Sequence, residues 1–187
     1  MTFISDSLNR IKPSATMVIT AKATQLKREG KKVIGLSSGE PDFDTPQHVK
    51  QAAIDAINSG YTKYTNIEGI PELRQSIVEK FKKDNDLNYD VSNVIVGTGG
   101  KQILFNALMS SLNKDDEVII PAPYWVSYPD MTLLADGKPI FVDCSSETNF
   151  KLTGEALDKV ITKNSKWLIL NSPSNPTGSC YSISELE

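Results

Sequence analysis

The apolar positions in the first half of the chain recur at helical spacing. This periodicity predicts amphipathic helices over about residues 14–29, 46–60 and 73–85. Gly30 is suited to cap the first helix at its C-terminus, and Thr45 to cap the second at its N-terminus. We therefore expect a helical N-terminal half joined by polar loops.

The second half of the chain has a different pattern, in which short apolar runs rich in β-branched residues alternate with helix-length segments. Strands are predicted at residues 94–96, 118–120, 140–142 and 167–170, and helices at about 101–112, 126–135 and 154–162. Uninterrupted apolar strands are typical of parallel sheets, because helices cover both faces of such sheets. The predicted fold class is α/β, a mainly parallel sheet flanked by helices.

Composition and charge exclude several classes of function. The 187 residues are 39% apolar, enough for a globular core, and 20 basic against 23 acidic residues leave no positive excess for nucleic acid. No stretch approaches the roughly 18 to 20 apolar residues of a membrane span. Asp6 and Arg10 interrupt the N-terminus where a signal peptide needs an apolar core, so we predict a cytoplasmic protein without nucleic-acid or membrane partners.

The residues that most often bind metals are few and scattered. Cys144 and Cys180 lie far apart without a CxxC spacing, and His48 is the only histidine of the sequence. We predict free thiols, a surface histidine and no metal site.

The first loop with ligand-binding chemistry is VGTGGKQ, where three glycines lead from a predicted strand into a helix. Glycines allow the backbone to approach a ligand, and the N–H groups at a helix N-terminus suit a phosphate. The loop lacks the GK[ST] ending of a Walker motif and a full GxGxxG pattern. It therefore predicts an anion cradle, with a tight turn that binds nothing as the open alternative.

Two further loops follow predicted strands directly. PAPYWVSYPD places Tyr124 and Trp125 after one strand, and NSPSNPTG places Asn175 after another. An indole can stack on a planar ring and an amide can donate and accept hydrogen bonds, although a buried tryptophan and an ordinary turn remain alternatives. Because ligands bind at the carboxyl edge of open parallel sheets, we expect the three loops to form one site.

The same segments carry a resemblance to a known family. SSGEPDFDTP, YTNIEGIPELR, TGGKQ, PAPYWVSYP and NSPSNPTG occur in the order and rough spacing of class I pyridoxal-phosphate-dependent aminotransferases. The segment from Arg10 to Pro46 most resembles the bacterial aspartate aminotransferase branch, which includes enzymes that also act on prephenate. The resemblance implies a type I fold, with residues 1–45 as the arm and part of the small domain, and 46–187 as part of the large cofactor-binding domain.

The resemblance also implies roles toward the cofactor, pyridoxal 5'-phosphate. The backbones of Gly100 and Lys101 would bind its phosphate, Trp125 would stack on its pyridine ring, and Asn175 would bond its phenolic oxygen. Tyr64 resembles the tyrosine that reaches the phosphate of a neighbouring subunit, which implies a homodimer.

The resemblance also implies which residues recognise the substrate, and two of them are cofactor residues as well. Gly39 would contact the substrate's α-carboxylate, and Lys12 matches a position linked to dicarboxylate or prephenate recognition. Trp125 and Asn175 would also line the substrate site. The implied reaction moves the amino group of L-aspartate to 2-oxoglutarate, giving oxaloacetate and L-glutamate, with prephenate as a further substrate.

The resemblance places the remaining catalytic groups beyond Glu187. Family members form a Schiff base through a lysine downstream of NPTG, but no lysine or arginine follows this motif here. The sequence SISELE begins a helix as the chain stops. We therefore expect an N-terminal portion of a longer enzyme that is inactive alone. Alternatives are an aminotransferase for aromatic or other amino acids, a lyase of the same fold, or a non-catalytic regulatory protein.

Overall fold

The computed structural model describes residues 3–36, 39 and 41–187, which divide into two compact units. One unit contains Ala15–Gly100, and the other contains the arm up to Ser14 together with Lys101–Glu187. The described residues form seven α-helices and one three-stranded sheet. The division into small-domain and large-domain parts at residue 45 stays a prediction.

The helices of the Ala15–Gly100 unit lie close to their predicted positions. They are α1 (Ala15–Arg28), α2 (Gln47–Asn58) and α3 (Pro71–Asn85). Gly30 follows α1 with a φ of 80°, as a C-terminal glycine cap requires. The prediction that Thr45 caps α2 is wrong. Pro46 occupies the cap position in this described stretch, and its carbonyl accepts the N–H groups of Val49 and Lys50.

The predicted strand at residues 94–96 is also wrong, because this described segment is irregular. Its backbone groups form hydrogen bonds with a loop carbonyl and with an arginine side chain. Val96 N–H donates to the carbonyl of Glu68 at 2.9 Å, and the Arg74 guanidinium donates to the carbonyl of Val94 at 3.0 Å. The apolar run is real, but a strand is defined by a neighbouring strand, which residues 94–96 do not have among the described residues.

The second unit contains the sheet. Its elements are α4 (Gly100–Ser111, whose first residue belongs to the other unit), β1 (Glu117–Ala122), α5 (Ser127–Leu134), β2 (Lys138–Asp143), α6 (Gly154–Asp158), β3 (Ser165–Leu168) and α7 (Ile183–Leu186). The strand order is β2-β1-β3, and both pairings are parallel, which confirms the α/β class. Helix α6 is shorter than predicted. It ends before Thr162, whose hydroxyl instead donates to Glu117 at 2.6 Å.

The core of this unit surrounds β1. Val118 and Ile120 are fully buried, and Ile119, which alternation directs to the opposite face, is also buried. The main core cluster consists of Leu108, Leu112, Val118, Ile120, Tyr128, Met131 and Ala135. Helices α4 and α5 therefore pack on the face of β1 that Val118 and Ile120 present.

A polar cluster ties together the amino ends of the three strands. The side chain of Glu117 is only 7% exposed, accepts a hydrogen bond from Ser165 Oγ at 3.3 Å and pairs with Lys138 Nζ at 3.3 Å. The hydroxyl of Thr162 is the main cause that holds the pKa of Glu117 below its ordinary value, and Lys138 adds to it, while burial acts in the opposite direction. An ionised Glu117 thus links β1 to the starts of β2 and β3.

The N-terminal arm is attached to α5 within the same unit. A short 3-10 helix, Asp6–Arg10, packs against α5, and the Arg10 guanidinium donates to the carbonyl of Leu133 at 3.0 Å and to the carboxylate of Asp136. A cation is favourable there because helix C-termini carry partial negative charge. Lys12 follows this attachment by two residues.

Truncation of Ile120 tests the importance of the β1 core. Ile120→Ala is expected to lower the free energy of unfolding by about 2–5 kcal/mol, because it leaves a cavity, and Ile120→Val by about 0.5–1.5 kcal/mol. Ile161 is 51% exposed, so Ile161→Ala should change the free energy of unfolding by no more than about 0.5 kcal/mol. Urea denaturation followed by circular dichroism measures all three. Equal losses at positions 120 and 161 would contradict the assigned core.

The polar cluster predicts a pH dependence of stability. The folded-state pKa of Glu117 is lowered from 4.5, so its stabilisation is present above about pH 4.5 and is lost as pH falls through the lower folded-state value. The urea midpoint of the wild type should therefore fall more steeply between about pH 6 and 3 than that of Glu117→Gln. Thr162→Val should also make the urea midpoint less dependent on pH, but by a smaller amount than Glu117→Gln. Identical slopes for wild type and Glu117→Gln would refute this role.

Candidate functional site

Two of the predicted loops meet at one edge of the sheet. Because β1 and β3 are parallel neighbours, residues 121–126 and 169–178 both emerge at the carboxyl ends of the strands. Pairing continues past β3, since Ile169 N–H donates to the carbonyl of Ile119 at 3.0 Å. The third loop is divided between the units, and only its last two residues, Lys101 and Gln102, belong to the unit that contains the sheet.

Trp125 and Lys101 are brought together at this edge. The ammonium of Lys101 lies 4.7 Å from the centroid of the Trp125 ring, within the range of a cation–π interaction. Lys101 is in the first turn of α4, where backbone N–H groups have no carbonyl partner within the helix. An aromatic face therefore adjoins the positive end of a helix.

Tyr124 and Trp125 also pack against the core, so the alternative of a buried tryptophan is partly correct. Trp125 packs edge-to-face on Tyr128, with centroids 5.4 Å apart, and Tyr124 stacks on Phe141 at 5.1 Å. Both Tyr124 and Trp125 are half-buried against the main core. Core packing thus holds the two rings in place while leaving part of each accessible at the edge.

Asn175 is exposed and lines a pocket at the same edge. The other lining residues include Pro123, Tyr124, Tyr128, Asn171 and Tyr181. Burial raises the pKa of Tyr128. It also raises the pKa of Tyr181, against the hydrogen bond that the Tyr181 hydroxyl accepts from Leu152 N–H. Both phenols are therefore neutral at physiological pH, and the pocket presents amides and uncharged hydroxyls.

The other predicted site residues lie elsewhere in the chain. Gly100 opens α4, and Lys12 lies in the arm. Gly39 and the fully exposed Tyr64 belong to the Ala15–Gly100 unit. The neighbours of Gly39 in the SGEPD loop, Ser38 and Glu40, lie outside the described residues. The structure therefore brings together Lys101 and Trp125 and places Asn175 at the same edge, while the cofactor and substrate roles of all the predicted site residues stay predictions.

Two aromatic residues at the site were missed by sequence reasoning. Tyr128 supports Trp125 from three positions along the chain, a spacing that could have indicated contact at the start of a helix. Phe141 supports Tyr124 from β2, and no local pattern indicates this contact because it joins different elements. Trp125 is thus held by a residue of α5, and Tyr124 by a residue of β2.

The described residues contain neither a metal-binding cluster nor a helix suited to span a membrane. Residues 3–36, 39 and 41–187 hold no group of three or more His, Cys, Asp or Glu side chains that could bind a metal ion. Within the same ranges, every helix is too short or too polar to cross a membrane. Cys144 is buried and Cys180 is exposed, and both are free thiols.

The arrangement at the edge suits a particular kind of ligand. Trp125 presents a ring face, the start of α4 with Lys101 presents N–H groups and positive charge, and Asn175 presents an amide. These are the kinds of group that bind a planar aromatic molecule carrying a phosphate and a polar oxygen.

Comparison with known sequences agrees with this chemistry. Residues 31–187 match the family described as Aminotransferase class I and II. The chain belongs to this family. Its members are pyridoxal-phosphate-dependent. The side-chain types of Lys101, Trp125 and Asn175 are chemically compatible with a phosphorylated aromatic cofactor.

Individual relatives resemble this aminotransferase chain over its full length. It is 60% identical over 187 residues to the probable aspartate/prephenate aminotransferase of Rickettsia bellii, covering all of this chain and 47% of that protein. It is 59% identical over 186 residues to the aspartate/prephenate aminotransferase of Cereibacter sphaeroides, covering 100% of this chain and 46% of that protein.

Solved structures of aspartate aminotransferases also resemble it. The aspartate aminotransferase of Thermus thermophilus with maleate matches with a TM-score of 0.96 and 45% identity, over 100% of this chain and 49% of that one. The aspartate aminotransferase of Rhizobium meliloti matches with a TM-score of 0.94 and 50% identity, over 99% and 46%. The chain thus spans about half the length of the relatives it matches.

Proposed function

We propose that the protein, at the length of its relatives, is an aspartate aminotransferase that also accepts prephenate. It transfers the amino group of L-aspartate to 2-oxoglutarate and releases oxaloacetate and L-glutamate. The observation that carries the proposal is 59–60% identity across the whole chain to proteins named for aspartate and prephenate. The chemistry of the sheet edge supports it, because the residues there suit the cofactor of the family.

Each cofactor contact in the proposal uses a different property of the chain. The backbone N–H groups of Gly100 and Lys101 hold the phosphate at the positive end of α4. The indole of Trp125 supports the ring, and the amide of Asn175 donates to the phenolic oxygen and favours its ionised form. When bound, pyridoxal phosphate supplies a ring that accepts the electrons released at the substrate's α-carbon.

Substrate recognition and assembly form the second part of the proposal. The backbone of Gly39 contacts the α-carboxylate, and Lys12 recognises the second carboxylate of a dicarboxylic substrate. The Thermus relative was solved with maleate, itself a dicarboxylate, which supports this substrate class. Tyr64, whose side chain is fully exposed, reaches the phosphate bound by a second copy, so the enzyme is a homodimer in the cytoplasm.

Activity is proposed for the full-length protein because the 187 residues correspond to about half of each relative. The lysine that carries the cofactor, the aspartate at the pyridine nitrogen and the arginine at the substrate carboxylate belong to the other half in this proposal. The present residues bind and orient the cofactor. Alone, they would bind it weakly and would not complete a transamination.

The proposed activity can be measured directly. The full-length protein should form L-glutamate and oxaloacetate from L-aspartate and 2-oxoglutarate, and it should also aminate prephenate with L-aspartate or L-glutamate as donor. Coupled assays of oxaloacetate and chromatographic detection of the aminated product check both reactions. Turnover restricted to aromatic or other amino acids would favour a different class I aminotransferase.

Substitutions at the sheet edge test the cofactor assignments. Asn175→Ala in the full-length enzyme should raise the Kd for pyridoxal phosphate about 10- to 100-fold, because it removes a hydrogen bond to a charged oxygen. Trp125→Ala should also raise the Kd, and Trp125→Phe less, because phenylalanine retains a ring face. Equilibrium dialysis provides the measurement.

A matched control is available at the second tryptophan. Trp167 packs against the core and donates from Nε1 to Ser111 Oγ at 2.9 Å, so Trp167→Phe should change stability but leave the Kd for the cofactor unchanged. Unchanged affinity in both Trp125→Ala and Asn175→Ala would overturn the assigned placement.

A further inference from the structure

The loop that carries Asn175 begins directly at the end of the sheet. Pairing with β1 continues to Ile169, and Asn171 follows two residues later in a half-buried position. Asn175 comes four residues further on and is exposed. The side chain assigned to the cofactor therefore lies on a loop rather than on the rigid sheet.

Asn171 connects this loop to the strand end. Its side-chain oxygen Oδ1 accepts a hydrogen bond from the backbone N–H of Asn175 at 2.9 Å. The bond closes a five-residue segment that contains Pro173, whose ring restricts the backbone further. It thereby fixes the backbone from which the Asn175 side chain extends.

Other hydrogen bonds close the loop on itself. Ser174 N–H donates to the carbonyl of Ser179 at 2.9 Å, and Gly178 N–H donates to the carbonyl of Ser174 at 2.8 Å. Tyr181 N–H donates to Ser172 Oγ at 3.1 Å. These bonds shape the loop, whereas the bond from Asn171 reaches Asn175 itself.

We propose that Asn171 is a positioning residue that holds Asn175 in the orientation needed to bond the cofactor's phenolic oxygen. The inference rests on the proposed function and adds a residue to it. Without the acceptor on Asn171, the Asn175 backbone samples more conformations, and cofactor binding must then order them at a cost in affinity. Asn171 acts through Asn175 and makes no contact of its own with the reacting atoms in this proposal.

Hydrogen exchange in the cofactor-free, full-length protein tests the local bond. Pro173 and Pro176 carry no amide hydrogen, so the segment between them reports only Ser174 and Asn175. Asn171→Ala should lower protection at Asn175 about 3- to 10-fold. Asn171→Asp should retain it, because a carboxylate oxygen also accepts the bond.

Ser172→Ala is the matched control for this measurement. It removes a side-chain acceptor for a backbone N–H from the same loop, but the affected amide is that of Tyr181. Protection should therefore fall at Tyr181 and stay unchanged at Asn175. Loss of protection at Asn175 in both variants would show general loosening of the loop and would overturn the specific role.

Cofactor affinity tests whether the bond acts through Asn175. Asn171→Ala should raise the Kd for pyridoxal phosphate about 3- to 10-fold in the wild-type background and less than about twofold in the Asn175→Ala background. An equal rise in both backgrounds, or no rise in a protein in which Asn175→Ala does weaken binding, would overturn the inference. A wild-type protein that does not bind pyridoxal phosphate would instead overturn the proposed function.

Discussion

The candidate site depends on the parallel pairing of β1 with both of its neighbours. Val118 and Ile120 are buried under helices on one face of β1, and Ile119 is buried on the other. Because both faces of β1 are buried, β1 is stable as the central strand of the sheet. Because β3 runs in the same direction as β1, the loops after the two strands meet at one edge, so the positions of Trp125 and Asn175 follow from the packing of the core.

The two ends of the strands differ in electrostatic character. At the amino ends, the carboxylate of Glu117 pairs with the ammonium of Lys138 and accepts a hydrogen bond from the hydroxyl of Thr162. At the carboxyl ends, Lys101 and the start of α4 supply positive charge beside aromatic rings. The edge where the loops lie is therefore the electrostatically favourable one for an anion, while the polar cluster at the opposite edge links the strands.

The long amphipathic helices were predicted well, whereas one strand and one helix cap were not, for physical reasons. Helix α3 was predicted to its end at Asn85 because amphipathic periodicity is a local property. The strand at residues 94–96 was wrong because pairing depends on a distant partner, and the cap at Thr45 was wrong because Pro46 begins the helix. At the site, Trp125 and Asn175 could be found from their motifs, and the spacing of Tyr128 from Trp125 could have indicated their contact. The hydrogen bond by which Asn171 supports Asn175 could not be identified from the motif alone.

The α/β class, the order of the motifs and the family resemblance can be read from the amino-acid sequence, because periodicity and short motifs depend on neighbouring residues. Which side chains meet depends on the packing of the folded chain. The ammonium of Lys101 lies over Trp125, and Thr162 reaches Glu117 from 45 residues away. Such contacts depend on how helices and strands pack, and packing is set by the whole core rather than by any local pattern.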